Sequence, residues 1–239
     1  AGLAHEVKNP LGAIKGAAQL LGDSPDATLG SSEREFVSII LEEVDRLDRV
    51  VGSVLDYARP ARGTMGEVNL RQVLERIRLM LEAESSGCEI VVETEDDLPP
   101  VRADAEQLRQ VLLNLVKNAV QALGGRGRIR IGAVSMPGAA LGVTSAVALT
   151  VSDEGPGIAP EMMKSLFVPF VTTKERGTGL GLAISQRIIQ EMRGRIEVSS
   201  RVGEGTTFSI LLPSHEATPT DVGGARTSLS TARMEVSGS

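Results

Sequence analysis

Histidine, cysteine and aromatic residues are all scarce in this chain of 239 residues: two His, one Cys, one Tyr, four Phe and no Trp. The single Cys88 cannot form an intrachain disulfide, and a buried thiol in a reducing compartment is the reading it supports. An excess of basic residues is missing too. The formal net charge is -6, which argues against a general nucleic-acid binder. No uninterrupted apolar run approaches the roughly 18–20 residues of a membrane span; the stretch from Ala146 to Val151 is only of strand length. No secretory signal and no internal repeat stands out. The chain opens without Met and inside a helical pattern, so we expect a fragment whose sensory or membrane portion precedes it. What remains is a 41% hydrophobic share, enough to bury a core in one large or two modest domains.

One of the two histidines lies in Ala4-His5-Glu6-Val7-Lys8-Asn9-Pro10-Leu11. Around it, Leu3, Val7, Leu11, Ile14, Ala18 and Leu21 form a helical stripe with coiled-coil spacing, predicting a helix over 1–22 that Pro10 bends. Asp23-Ser24-Pro25-Asp26 is turn chemistry, and Ser31 or Ser32 can cap a second helix running to about Ala58. Its stripe is Phe36, Ile40, Val44, Leu47, Val51, Val54 and Ala58. Two such stripes make a helical hairpin whose apolar seam stays wet unless two hairpins pair into a four-helix bundle, so a homodimer is expected. His5 and Asn9 are one turn apart on one face, off the stripe and open to solvent. Taken alone, such a histidine is equally a residue without chemistry.

Arg59 to Gly63 ends the hairpin as a linker. The expected divisions are 1–60 for the helical domain, 61–67 for the linker, 68–213 for an α/β domain and 214–239 for a disordered tail. The α/β part reads as a short strand at Val68 to Leu70, a helix from Leu70 to Glu84, and a strand from Cys88 to Thr94. A break at Leu98-Pro99-Pro100 precedes a helix capped by Asp104 and running to about Leu123. Strands follow at Arg128–Val134 and Ala146–Ser152, then a helix at Gly179–Met192, then strands at Arg195–Ser200 and Thr206–Leu212. The expected fold class is therefore α plus α/β: the dimerising hairpin followed by an α/β sandwich with helices on one sheet face.

Four places in this second part carry chemistry. Asn114 and Asn118 share a helix face, and amide oxygens can ligate a hard cation such as Mg²⁺, although two solvated amides fit as well. Asp153-Glu154-Gly155-Pro156-Gly157-Ile158 follows a strand, where a carboxylate can accept from an exocyclic amine and glycines let backbone approach a ligand. Arg176-Gly177-Thr178-Gly179-Leu180-Gly181-Leu182 opens a helix whose unpaired amides make an anion site. Gly203-Glu204-Gly205-Thr206-Thr207-Phe208 reads as a hairpin turn. The P-loop pattern is missing, so a nucleotide site here must be of another type.

In this order and spacing the motifs are specific. Over about residues 1–213 the chain resembles the catalytic core of a two-component sensor histidine kinase, with an ATP-binding domain shared with DNA gyrase and MutL-type ATPases. His5 to Pro10 match the phosphoacceptor box, Asn114 and Asn118 the asparagine box, and Asp153, Gly155 and Gly157 the adenine-side glycine box. Leu166 to Phe170 match the phenylalanine box, and Gly177, Gly179 and Gly181 the phosphate-side box. Thr172-Thr173-Lys174 before those glycines is similar to the NtrB-type subgroup.

The resemblance implies roles. His5 would take the γ-phosphoryl group of ATP, Glu6 would act as base or orienter, and Asn9 would serve removal of phosphate from a receiver domain. Asn118, assisted by Asn114, would hold Mg²⁺. Asp153 would select adenine, flanked by Gly155, Gly157 and Ile158. Backbone from Gly177 through Thr178, Gly179 and Leu180 to Gly181 would cradle phosphates, with Lys117, Lys174 and Thr207 completing the nucleotide contacts. Lys174 would reach in from a mobile lid over about residues 159–176. Gln121 departs from the family, many of whose members carry a basic residue there, and the sequence leaves open whether Lys174, Lys117 or Arg176 compensates. The implied activity is autophosphorylation of His5 and transfer to an aspartate of a response regulator in the cytoplasm, without nucleic acid or direct membrane contact by this fragment. The alternatives are a gyrase- or MutL-class ATPase and an ATP-binding dimeric scaffold, neither with a phosphorylated histidine.

Overall fold

The computed structural model describes residues 11–19, 21, 31–58, 64–84, 87–172, 174 and 177–219. Helix α1 covers 11–19, and α2 is Ser31–Ala58. Lys15 Nζ reaches Asp45 Oδ1 at 2.8 Å, tying the two helices together. Of the two apolar stripes, Ala18 and Val44 are buried, whereas Ile14, Phe36, Ile40, Leu47 and Val54 are exposed. Two helices have too little mutual surface to cover a full stripe, so one chain leaves most of the seam open.

The second part is built on a five-stranded sheet in the order β2-β4-β5-β7-β6. The strands are β2 (Cys88–Thr94), β4 (Gly127–Pro137), β5 (Ser145–Asp153), β6 (Arg195–Arg201) and β7 (Gly205–Pro213). β2 and β4 are parallel, and the remaining pairs are antiparallel. Helices α3 (Leu70–Glu84), α4 (Ala105–Ala122) and α6 (Gly181–Glu191) pack against the sheet. The core is aliphatic: Leu74 and Ile77 from α3, Leu112 and Leu115 from α4 and Ile189 from α6 meet Ile129, Ile131, Leu149 and Ile210 of the sheet. Period-two alternation sorts the strands' faces, so that Val147, Leu149 and Val151 of β5 all point inward. Asp153 continues this inward parity, which is why a carboxylate ends up 8% exposed at the strand end.

The structure departs from the sequence reading in four places. The short strand expected at Val68 to Leu70 is β1 (Gly66–Val68), and it consumes the end of the expected linker. It pairs with β3 (Val101–Ala103), a three-residue strand hidden behind the Pro99-Pro100 break. The last helix starts at Gly181 rather than Gly179, because Gly179 has φ +67°, a left-handed value that cannot continue a right-handed helix. Residues 214–219 are not part of a disordered tail: Ser214 is buried, His215 N donates to the Pro100 carbonyl at 2.7 Å, and Thr144 N donates to the Thr218 carbonyl at 2.9 Å. Polar composition misled there, since these residues are held by backbone pairing and not by apolar burial. Residues 220–239 lie outside the described residues. Among the described residues no helix is long and apolar enough to cross a membrane.

Candidate nucleotide site

Helix α4 is the main scaffold of the site. Asp104 caps it, its Oδ1 accepting from Gln107 N at 2.8 Å. Leu108, Val111, Leu112, Leu115, Val116 and Ala119 bury one face, which leaves Asn114, Asn118 and Gln121 on an adjoining face. There they line a cavity of about 240 Å³ together with Thr172, Lys174, Gly177, Thr178, Gly179 and Gly181, and with apolar Met162, Leu166, Val171 and Leu182. The sequence-identified asparagines and phosphate-side glycines are thus brought together.

Several of these positions are fixed from behind. Asn114 Nδ2 donates to Ser185 Oγ at 2.9 Å, and Ser185 Oγ donates to the Gly181 carbonyl at 2.9 Å. Asn114 Oδ1 then faces Gly181, where a Cβ would lie 2.6 Å from it. Gly179 is boxed in by backbone, a Cβ there falling 2.5 Å from the Phe170 carbonyl carbon. Phe170 also has a left-handed backbone, φ +67°, and its N–H donates to the Gly179 carbonyl at 3.0 Å. The lid expected over 159–176 is not featureless, since α5 (Pro160–Met163) lies within it.

Lys174 enters this cavity. Its Nζ donates to Asn118 Oδ1 at 2.7 Å and to Gln121 Oε1 at 2.6 Å, and burial pushes its ammonium pKa down. Of the three basic residues weighed above against Gln121, Lys174 therefore meets it. Lys117 is exposed and does not line the cavity, and Arg176 lies outside the described residues.

Asp153 occupies a separate corner at the last turn of α4, beyond the lining of the cavity. Its Oδ1 accepts from Gly155 N at 2.9 Å. Burial raises its pKa, against the opposing pull of the backbone donors at Gly155 and Thr206. A Cβ on Gly155 would lie 2.7 Å from Asp153 Oδ1, and one on Gly157, at φ +72°, would lie 2.0 Å from the Arg201 carbonyl oxygen. Gly157 is therefore demanded by the packing of the turn against the β6–β7 hairpin, and Gly155 by the Asp153 carboxylate and Ala122 at the end of α4, whatever else they do. Ile158 N donates to Ser200 Oγ at 2.9 Å, and Leu180 is fully buried, backbone included, so it anchors the start of α6 and presents no surface of its own.

One placement is a correction. Thr207 lies on the sheet face away from the core, its hydroxyl 2.9 Å from Ser152 Oγ. Thr206, its neighbour, has the inward parity, is buried and is the register partner of Asp153. The period-two pattern through Phe208 and Ile210 carried this signal. Ser185 was also missed; only its position one turn beyond Gly181 hinted at it. His5, Glu6 and Asn9 lie outside the described residues.

The donor set suits a nucleotide carrying a hard cation. The amide oxygens of Asn114 and Asn118 are neutral oxygen donors, and a cation that keeps waters and phosphate ligands needs few protein groups. The glycines from 177 to 181 leave room where side chains would intrude on Asn114 and Phe170.

Comparisons with known proteins agree on both parts of the chain. The family described as "Histidine kinase-, DNA gyrase B-, and HSP90-like ATPase" matches residues 103–216, and "His Kinase A (phospho-acceptor) domain" matches residues 1–63. The chain is 43% identical over 220 residues to the sensory histidine kinase/phosphatase NtrB of Vibrio alginolyticus, covering 89% of this chain and 61% of that protein. It is 39% identical over 215 residues to the signal transduction histidine-protein kinase AtoS of Escherichia coli strain K12, covering 89% of this chain and 34% of AtoS. It thus spans between about a third and three fifths of the curated relatives it matches. Among solved structures, full-length ShkA in complex with AMPPNP is similar at TM-score 0.70 and 31% identity, over 90% of this chain and 45% of that one. The catalytic domain of histidine kinase ThkA is similar at TM-score 0.56 and 32% identity, over 63% of this chain and 96% of that one. ThkA in complex with the response regulator protein TrrA is similar at TM-score 0.64 and 29% identity, over 90% of this chain and 60% of that one.

Proposed function

The chain belongs to the sensor histidine kinases, and from that premise we propose that it transfers the γ-phosphoryl group of ATP to His5 and then to an aspartate of a response regulator. The observation that carries this reading is the coexistence, in one chain, of a phospho-acceptor match containing His5 with the amide- and glycine-lined cavity between α4 and α6.

In this reading Asp153, held at the strand end, accepts from the adenine amine. Asn118, with Asn114 beside it, holds Mg²⁺, which supplies charge neutralisation at the phosphates when bound. The backbone from Gly177 to Gly181 faces the phosphates at the start of α6, where unpaired amides favour anions. Thr206 rather than Thr207 stands beside Asp153 on the nucleotide side. A neutral His5 nitrogen attacks the γ-phosphorus, the bond to the β,γ-bridging oxygen breaks, and ADP leaves. Glu6 orients His5 or takes its proton. Little more than positioning and charge neutralisation is asked of the remaining residues.

The open apolar seam of α1 and α2 supports a homodimer, in which a second copy completes a four-helix bundle. The relative named kinase/phosphatase supports a reverse activity as well. For that step Asn9, four residues after His5 in the sequence, orients the water that attacks the receiver's phospho-aspartate. The proposed use of ATP and of receiver domains supports a cytoplasmic position for this fragment. Incubation with γ-labelled ATP, followed by a panel of receiver domains, tests the reading. Acid-labile, alkali-stable label that moves to one receiver supports it. ATP turnover with no protein-bound label points instead to a hydrolase of the gyrase class.

A further inference from the structure

Lys174 is held by two acceptors of different standing. Asn118 Oδ1, 2.7 Å from Nζ, is the oxygen assigned above to a metal ion. Gln121 Oε1, 2.6 Å from Nζ, has no role in the activity described so far. The two amides stand three residues apart on α4 and converge on one ammonium. The backbone around Lys174 is folded to deliver it: Lys174 N donates to Thr172 Oγ1 at 3.1 Å, and Gly177 N donates to the Lys174 carbonyl at 3.1 Å. Thr172, Lys174 and Gly177 all line the cavity, beside Gly179 and Gly181. An ammonium and a divalent cation repel one another, so their sharing of one amide oxygen is disfavoured.

We propose that Gln121 is a positioning residue for the lid. Together with Asn118 it forms a two-amide seat for the Lys174 ammonium, and a nucleotide with its metal enters by taking Asn118 Oδ1 from that ammonium. The neutral side chain at 121 is what makes the seat. A glutamine attracts the lysine, whereas a basic residue at that position would repel it. Gln121 thus favours the seated lid over the loaded site, and it acts only through Lys174. The competition rests on the nucleotide reading given above, but the seat itself does not.

The test uses the full chain with Gln121→Leu, Lys174→Met and the double variant. Without nucleotide, hydrogen exchange at the Lys174 and Gly177 amides should be several-fold faster in Gln121→Leu, and in the double variant no faster than in Lys174→Met. Losing one charge-assisted hydrogen bond at a partly solvated site should make Gln121→Leu bind a non-hydrolysable ATP analogue with Mg²⁺ about three- to tenfold more tightly. In the Lys174→Met background the Gln121 change should make no difference. A merely structural role would lower the melting temperature and leave this cycle additive. The proposal is overturned by unchanged lid exchange in Gln121→Leu, or by an effect of Gln121→Leu that persists without Lys174. Exchange that behaves as expected while no variant binds nucleotide overturns the competition and the nucleotide reading, and keeps the seat.

Discussion

Asn114 Nδ2 donates to Ser185 Oγ at 2.9 Å, joining α4 to α6 across 71 residues of sequence. This bond sets which way the Asn114 amide points. With its nitrogen committed to Ser185, its oxygen faces the start of α6, where the phosphate-side glycines end. Ser185 is 1% exposed, and its hydroxyl also donates back to the Gly181 carbonyl. Ser185→Ala should therefore leave a partly buried amide donor unpaired, costing about 1–3 kcal/mol of stability. It should also weaken Mg²⁺–nucleotide binding several-fold by freeing the amide to rotate. Thermal unfolding and calorimetry on the same variant check both effects, and unchanged nucleotide affinity would deny Asn114 a part in the site.

Asp153 carries opposite consequences for folding and binding. Its folded-state pKa lies above the ordinary aspartate value because burial disfavours the charge. The folded chain therefore binds the proton more tightly than the unfolded one. The group's contribution to stability is greatest below its ordinary pKa and falls as pH rises through the raised one. At neutral pH Asp153→Asn should melt at a higher temperature than the native chain, and this advantage should shrink as the pH falls through the raised pKa. The same change places an amide donor toward the adenine amine, and the lost hydrogen bond should cost on the order of tenfold or more in ATP affinity. A variant that melts lower and binds equally well would contradict both halves of this account.

The glycines divide into those that pack and those that merely turn, and alanine should tell them apart. Gly179 has φ +67°, and a Cβ would fall 2.5 Å from the Phe170 carbonyl carbon. Gly203 has φ +82° with no atom within 4 Å of a Cβ. Each alanine pays the left-handed penalty of about 1–2 kcal/mol. Only Gly179→Ala should also push the Phe170 backbone away and reduce nucleotide affinity, by about tenfold or more for a displaced anion site. Equal binding by the two variants, measured by calorimetry with folding checked by circular dichroism, would remove Gly179 from the site.

Much of this was legible in the sequence because periodicity and glycine spacing are local signals. The inward stripe of α4, the apolar alternation of β5 and the glycines before α6 all follow from residues a few positions apart. What was not legible depends on contacts between distant segments. Ser185 reads as an ordinary helix serine until α4 brings Asn114 against it. Thr206 and Thr207 are adjacent, and only the register with β5 places one beside Asp153 and the other beside Ser152. Residues 214–219 look like polar tail, yet their backbone is bonded to Pro100, Thr144 and Ser145. Gln121 looked like a missing charge, and the fold brings the ammonium of Lys174, 53 residues later, to its amide oxygen.

The central claim is that His5 is the phosphoryl acceptor, and the direct measurement is incorporation of label from γ-labelled ATP into the native chain and into His5→Gln. His5 lies in the phospho-acceptor match over residues 1–63, and the cavity lies in the α/β part. The variant should therefore bind a non-hydrolysable ATP analogue with an affinity close to native while taking up no acid-labile label and passing none to a receiver domain. Stable, alkali-resistant label on the His5→Gln protein, at a level comparable to native, would contradict the account.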